Sequence, residues 1–277
     1  MSASPKEQAR GYLHGFTAEE QERLYGQARF MEARIYERLP FSRSRQMLEI
    51  GCGVGAQSEI LLRRYPHLQI TGVDASIQNL TRAKVHLGRL ASSAARYRCV
   101  GSDALALAFP AASFDSAFLC WVLEHVTEPV RVLREAHRCL KPRAPIAVTE
   151  VQNRSFLLHP YSPNTMAYWQ AFNDHQLALG GDPYVGAKLG NLLSQSGFEA
   201  LETRFHTIHL DNRSPEERAQ CIRFWTDLLL SGAPSLLAAG KVTPRVVEKM
   251  RMELEQVARG PDAVFLFSFV QAVAERG

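Results

Sequence analysis

The densest chemical content of the chain lies in the segment MLEIGCGVG (47–55), an apolar run carrying Glu49 and followed by Gly51, Gly53 and Gly55 in alternation. Glycines at this spacing let the backbone take left-handed dihedrals and let a ligand come up against the main chain itself. A dinucleotide site reads Gly-x-Gly-x-x-Gly, and Glu49 would repel a pyrophosphate, so nicotinamide and flavin cofactors are disfavoured. Asp74 stands 19 residues beyond Gly55, the interval at which a carboxylate accepts both hydroxyls of a ribose. Asp103 in VGSDA and Phe114-Asp115 repeat the pattern of an acidic residue beside an apolar run.

Such residues must be held by regular elements. Thr17 and Glu20 have capping-box spacing and open a helix expected over 17–39. Strand 47–50 runs into the glycines and a helix over 57–65; strand 68–73 ends at Asp74, and Ser76 caps a helix to about residue 90. Strands at 97–100 and 114–120, a helix at 128–140 and a strand at 146–151 continue the alternation. Continuous apolar strands separated by helices mean a parallel sheet buried on both faces. Residues 152–185 interrupt the alternation and are expected to be a helix with loops; helix 187–196, strand 198–210, a helical insertion at 214–259 and strand 263–274 follow. The organisation expected is therefore an N-terminal helical cover (1–45), a core (46–151), a lid insertion (152–185), core continued (186–213), a helical lid insertion (214–260) and a last core strand (261–277).

The 277 residues are 46% hydrophobic and 22% charged, ordinary for a globular protein. The net charge of +4 comes from 32 basic and 28 acidic residues dispersed along the chain, which points to a small-molecule substrate and away from nucleic acid. The polar N-terminus and the absence of an apolar run of about 18 residues point away from a membrane and toward the cytoplasm. Five scattered cysteines without a CxxC pair suggest a reducing compartment and no metal.

Taken in order, EIGCGVG, VDAS, GSDALALAFP, SFDSAFLCWVLEHV and REAHRCLKP resemble the successive motifs of the class I S-adenosylmethionine (SAM) dependent methyltransferases, in the small-molecule, type 11-like branch. The resemblance covers residues 46–150 and departs at KPRAP, where the family often has a glycine turn. It implies a doubly wound, seven-stranded Rossmann-like α/β sheet with helical lid insertions, its last strand antiparallel beside the fifth, and SAM as cofactor. By position, Glu49, Gly51, Cys52, Gly53 and Gly55 would hold the aminobutyryl group, Asp74 with Ala75 the ribose, and Asp103 with Ala104 the adenine. Cys120 and Trp121 would lie beside the sulfonium. Tyr12, Tyr25 and Gln27 resemble the family's cofactor-covering segment.

The implied reaction moves the sulfonium methyl to a nitrogen, oxygen or carbon nucleophile, which needs positioning and exclusion of water more than a strong base. If the acceptor must lose a proton, His125, His159 or His175 are candidates, with Tyr161 beside them in the insertion. Two other readings use the same binding site. SAM folded on itself would yield azetidine-2-carboxylate and 5′-methylthioadenosine, and a non-catalytic SAM-binding module would only bind. Either a monomer or a homodimer suits the sequence.

Overall fold

In the computed structural model, which describes His14 and residues 17–90 and 94–277, the apolar runs become strands and the stretches between them helices. The order is α1 (Ala18–Ile35), β1 (Gln46–Ile50), α2 (Ala56–Arg64), β2 (Gln69–Asp74), α3 (Ile77–Gly88), β3 (Tyr97–Gly101), β4 (Ser116–Cys120), α4 (Pro129–Cys139) and β5 (Pro145–His159). Then come α5 (Pro163–Ala178), α6 (Leu189–Gln195), β6 (Phe198–Leu210), α7 (Pro215–Ala238), α8 (Pro244–Arg259) and β7 (Val264–Arg276). Thr17 Oγ1 accepts from the Glu20 amide at 3.2 Å and Ser76 Oγ from Asn79 at 3.3 Å, so both expected caps form. The first helix stops four residues short of the expected end. Pro40 disfavours helical backbone before it, and Tyr36, Leu39 and Phe41 turn into the core.

All seven strands form one sheet in the order β3-β2-β1-β4-β5-β7-β6. The first five are parallel, with Leu48 level with Thr71 on one side and Ala117 on the other. β7 runs the opposite way to β5: Arg276 bonds at 143–144, Gln271 reaches Thr149, and Ser268 meets Ser155. This is the doubly wound α/β sheet that the motif order implied. Helix α4 shows how a helix is fastened to it. Val132, Leu133, Ala136 and Cys139 form one buried stripe against the sheet, each large aliphatic side chain contributing about 1.5–3 kcal/mol.

The chain divides into two compact units, one holding residues 24–90, 94–151, 184–206 and 269–277, the other 17–23, 152–183 and 207–268 with His14. In the first, which contains the glycine loop with Glu49, Asp74, Asp103 and Asp115, the core is aliphatic around Leu48, Ile50, Leu119 and Val148. In the second it is aromatic: Phe156 stacks on Trp225 at 5.0 Å, and Trp169 stacks on Phe172 at 5.4 Å. Here the structure differs from the expectation of a helix with loops, because β5 continues to His159 with alternating burial before α5 begins. Two helices, α7 and α8, fill the second insertion. Fully buried Arg218 of α7 donates to the carbonyls of Gly260 and Ala263 at 2.6 and 3.0 Å, closing the turn from α8 into β7. Among the described residues no helix is long and apolar enough to cross a membrane, and no group of His, Cys, Asp or Glu has the arrangement of a metal site.

Candidate functional site

The strand-to-helix turn after β1 is built on three left-handed glycines, with φ of 70° at Gly51, 52° at Gly53 and 80° at Gly55. Each is a glycine for a different reason. A Cβ on Gly51 would lie 2.5 Å from Val122, and one on Gly55 would lie 2.9 Å from Leu87 of α3, so both are needed for packing. A Cβ on Gly53 would meet nothing within 4 Å. This open side of the loop is the approach a cofactor requires.

Asp74 is the brace of the loop as well as its acidic neighbour. One carboxylate oxygen accepts from the Gly53 amide at 2.9 Å and the other from Ser76 at 2.8 Å. Burial raises its pKa and these amides oppose the rise. Ala75 and Ile77, just beyond, are exposed. We expect Asp74→Ala to weaken SAM binding by about 1.5–3 kcal/mol, the range for hydrogen bonds to a charged group. Calorimetry with S-adenosylhomocysteine, beside an unchanged circular dichroism spectrum, checks this.

Glu49 is buried in β1 and bonded to the hydroxyl of Ser58. Burial, with the charge of Asp74 adding to it and the Ser58 bond opposing, pushes its carboxyl up to about 8. Cys52 is buried between the loop and Gly72, where any side chain would fall 2.9 Å from its sulfur. Asp103 ends the β3 turn, its carboxylate accepting from the Leu105 amide at 3.0 Å. Ala104 packs on the core. Glu135 and Arg138 of α4 pin the following loop through Leu107 and Phe109.

After β4 the chain turns at Trp121, a non-glycine residue with φ of 59°. The turn is held by a residue that sequence reading passed over as mid-strand. Buried Glu150 of β5 accepts from the amides of Val122, Leu123 and Glu124 at 2.9, 2.7 and 3.2 Å. Its only sequence signal was a carboxylate inside an apolar strand. Cys120 is buried below the turn. Trp121 rests edge-on against Phe269 of β7, 5.4 Å between centroids, and its indole N–H is buried without a partner. His206 of β6 stacks on the same Phe269 ring at 4.9 Å, and its Nε2 is likewise buried without a partner. Burial and the charge of Arg204 lower the His206 pKa.

Tyr25 lies in the same unit, buried, its hydroxyl donating to the Val54 carbonyl at 2.7 Å and its ring 4.3 Å from His86. It therefore grips the glycine loop from outside. Gln27 is half-buried on α1, and Tyr12 lies outside the described residues. His125 sits in the turn after β4 with Nε2 at 3.7 Å from Glu124. The remaining candidates belong to the other unit. His175 of α5 is tied to Ser235 of α7 at 2.9 Å, and burial and Lys241 lower its pKa. His159 ends β5 near Asp262 at 3.7 Å, and Tyr161 is 75% exposed.

Residues 48–148 match the methyltransferase domain family. A ubiquinone biosynthesis O-methyltransferase of Neisseria meningitidis is 25% identical over 176 residues, 60% of this chain and 68% of that protein. O-methyltransferase resE of Aspergillus sclerotiorum is 28% identical over 172 residues, covering 62% of this chain and 61% of its own. Phosphoethanolamine N-methyltransferase 2 of Haemonchus contortus, solved with SAM, superposes with a TM-score of 0.60 at 16% identity, over 99% of this chain and 60% of that one. With the open glycine loop, the braced Asp74 and the strand order in place, residues 48–148 form a methyltransferase domain similar to those of the SAM-dependent O-methyltransferases above.

Proposed function

We propose that this enzyme methylates an oxygen nucleophile on a small planar acceptor, releasing S-adenosylhomocysteine, and that it works in the cytoplasm without a metal. The observation that carries this reading is the pair of buried, unpartnered polar atoms on the two rings packed against Phe269, Trp121 Nε1–H and His206 Nε2. Buried polar groups are left without partners at a cost of about 1–3 kcal/mol each, and such groups gathered on an aromatic face suit a ligand that completes them. SAM supplies an electrophilic methyl on a cationic sulfur. Glu49, the glycine loop, Asp74 and Asp103 would hold it. Phe269, fully buried, would hold the two rings in place, the Trp121 indole would donate to the acceptor's oxygen, and neutral His206 would take the hydroxyl proton. The O-methyltransferase names of the two relatives support oxygen over nitrogen or carbon.

Pure protein should methylate a simple phenol or catechol in a panel scored by mass spectrometry, and SAM alone should give no 5′-methylthioadenosine. His206→Asn should lower kcat by about 10²–10⁴, the usual weight of a general base. The parent rate should fall with acidity as His206 protonates, below the ordinary histidine range. Full activity with an unaltered pH profile in His206→Asn would remove that residue from the mechanism. We also propose that 152–185 and 214–260 are lid insertions whose dynamics respond to ligand. Their amides should exchange faster than those of β1 and β2 in the free protein and slow when SAM binds; equal protection with and without SAM would make them rigid packing.

A further inference from the structure

β6 is the last strand of the sheet, so its outer edge has no strand partner among the described residues, and residues 199–205 are all exposed. An exposed edge presents a row of backbone donors and acceptors to any incoming strand. The side chains indicate which strand. Leu201, Glu202, Thr203, Arg204 and Phe205 read as apolar, acid, centre, base, apolar, a chemical palindrome about Thr203. We propose that two copies of this chain pair antiparallel along β6, on a two-fold axis through Thr203.

That axis sets Leu201 opposite Phe205 of the second copy and Glu202 opposite Arg204 of the second copy, each contact occurring twice as an isologous interface demands. Side chains two apart share a face of the strand. Leu201, Thr203 and Phe205 therefore lie on one face and Glu202 and Arg204 on the other. On the first face Phe205 is 64% exposed and Leu201 37% exposed, so each has apolar surface free to meet the other across the axis. On the second, Glu202 and Arg204 are already 2.7 Å apart within one copy, and two copies would join them into a ring of alternating charge. Charges of one sign here would repel across the axis; opposite signs two residues apart attract. Ala200, left-handed with φ of 49°, breaks the regular strand just before Leu201 and limits the register to residues 201–205.

Five cross-strand pairs make a weak dimer, well short of the roughly 1,200–2,000 Å² of a standard stable interface. Sedimentation equilibrium of the full chain between about 5 and 200 µM should show a concentration-dependent monomer–dimer system. Glu202→Arg and Arg204→Glu should each raise the dissociation constant at least tenfold, because each sets like charges across the axis. Mixed one to one, they should form a heterodimer, since a copy with two arginines then meets a copy with two glutamates. Circular dichroism of each variant checks its fold. A parent that stays monomeric throughout, a dimer indifferent to both reversals, or a mixture no more associated than either variant alone would overturn the proposal.

Discussion

Gly53→Val is expected to abolish measurable SAM binding, a loss of at least about a hundredfold, or ~3 kcal/mol, while the protein stays folded. The three loop glycines allow the two effects to be separated. At Gly51 and Gly55 a side chain would be driven into Val122 or Leu87, so a valine there damages the turn itself. At Gly53 the space is open and only the backbone objects, its φ of 52° costing an L-residue about 1–2 kcal/mol. That is a tolerable fraction of a stability of roughly 5–15 kcal/mol. The Gly53 amide can still donate to Asp74. What valine does occupy is the open approach to the main chain, where we propose that the cofactor lies. Calorimetry with S-adenosylhomocysteine should show no heat for Gly53→Val, reduced affinity for Gly53→Ala and near-cooperative melting for both. Parent-like affinity in Gly53→Val would mean that the ligand approaches the loop from elsewhere.

Much of this site was legible because its chemistry is local. A strand, a glycine turn and a helix occupy consecutive residues, and Asp74 ends the next strand, so spacing alone carries their geometry. The same holds for the parallel half of the sheet, whose strands are short, apolar on both faces and separated by helices. Legibility fades where a residue's partners are distant. β5 was expected to end near residue 151, because beyond it the polar run QNRS breaks the apolar pattern and resembles a loop; Ser155 meets Ser268, more than a hundred residues away, and this pairing extends the strand.

Glu150 was missed, and His206 was read as a core or surface residue of its strand, for a related reason. Glu150 accepts from backbone amides, which carry no sequence signature, and its partners lie 26 to 28 residues back. His206 reads as one more residue of an edge strand until Phe269, brought alongside by the antiparallel return of β7, shows that it shares a ring with Trp121. In both cases the informative fact is a long-range neighbour. The histidines that composition did draw out, His159 and His175, are engaged within the helical unit by Asp262 and Ser235.

SAM affinity is expected to rise by up to tenfold per pH unit between about pH 6 and 8, with release of close to one proton per cofactor bound. The cause is Glu49. Its carboxyl is pushed up to about 8 in the folded protein, from 4.5 for an unperturbed glutamate, so at neutral pH it carries a proton. Between those two values the folded chain binds more protons than the unfolded one. This group's contribution to stability is therefore undiminished below about 4.5 and falls as pH rises through the window, by up to about 1.4 kcal/mol per unit. A cationic ligand reverses the balance, because a positive charge beside a buried carboxyl favours its ionised form. Binding then draws the proton off, and the apparent affinity climbs until the free protein is itself deprotonated near 8. S-adenosylhomocysteine, which keeps the ammonium and lacks the sulfonium charge, should show a shallower rise. Titration calorimetry in two buffers of different ionisation enthalpy counts the proton directly, and Glu49→Gln, which cannot ionise, should bind SAM with an affinity flat across the range. A parent affinity equally flat, with heats independent of buffer, would mean that Glu49 keeps its proton in the complex and only shapes the strand below the loop.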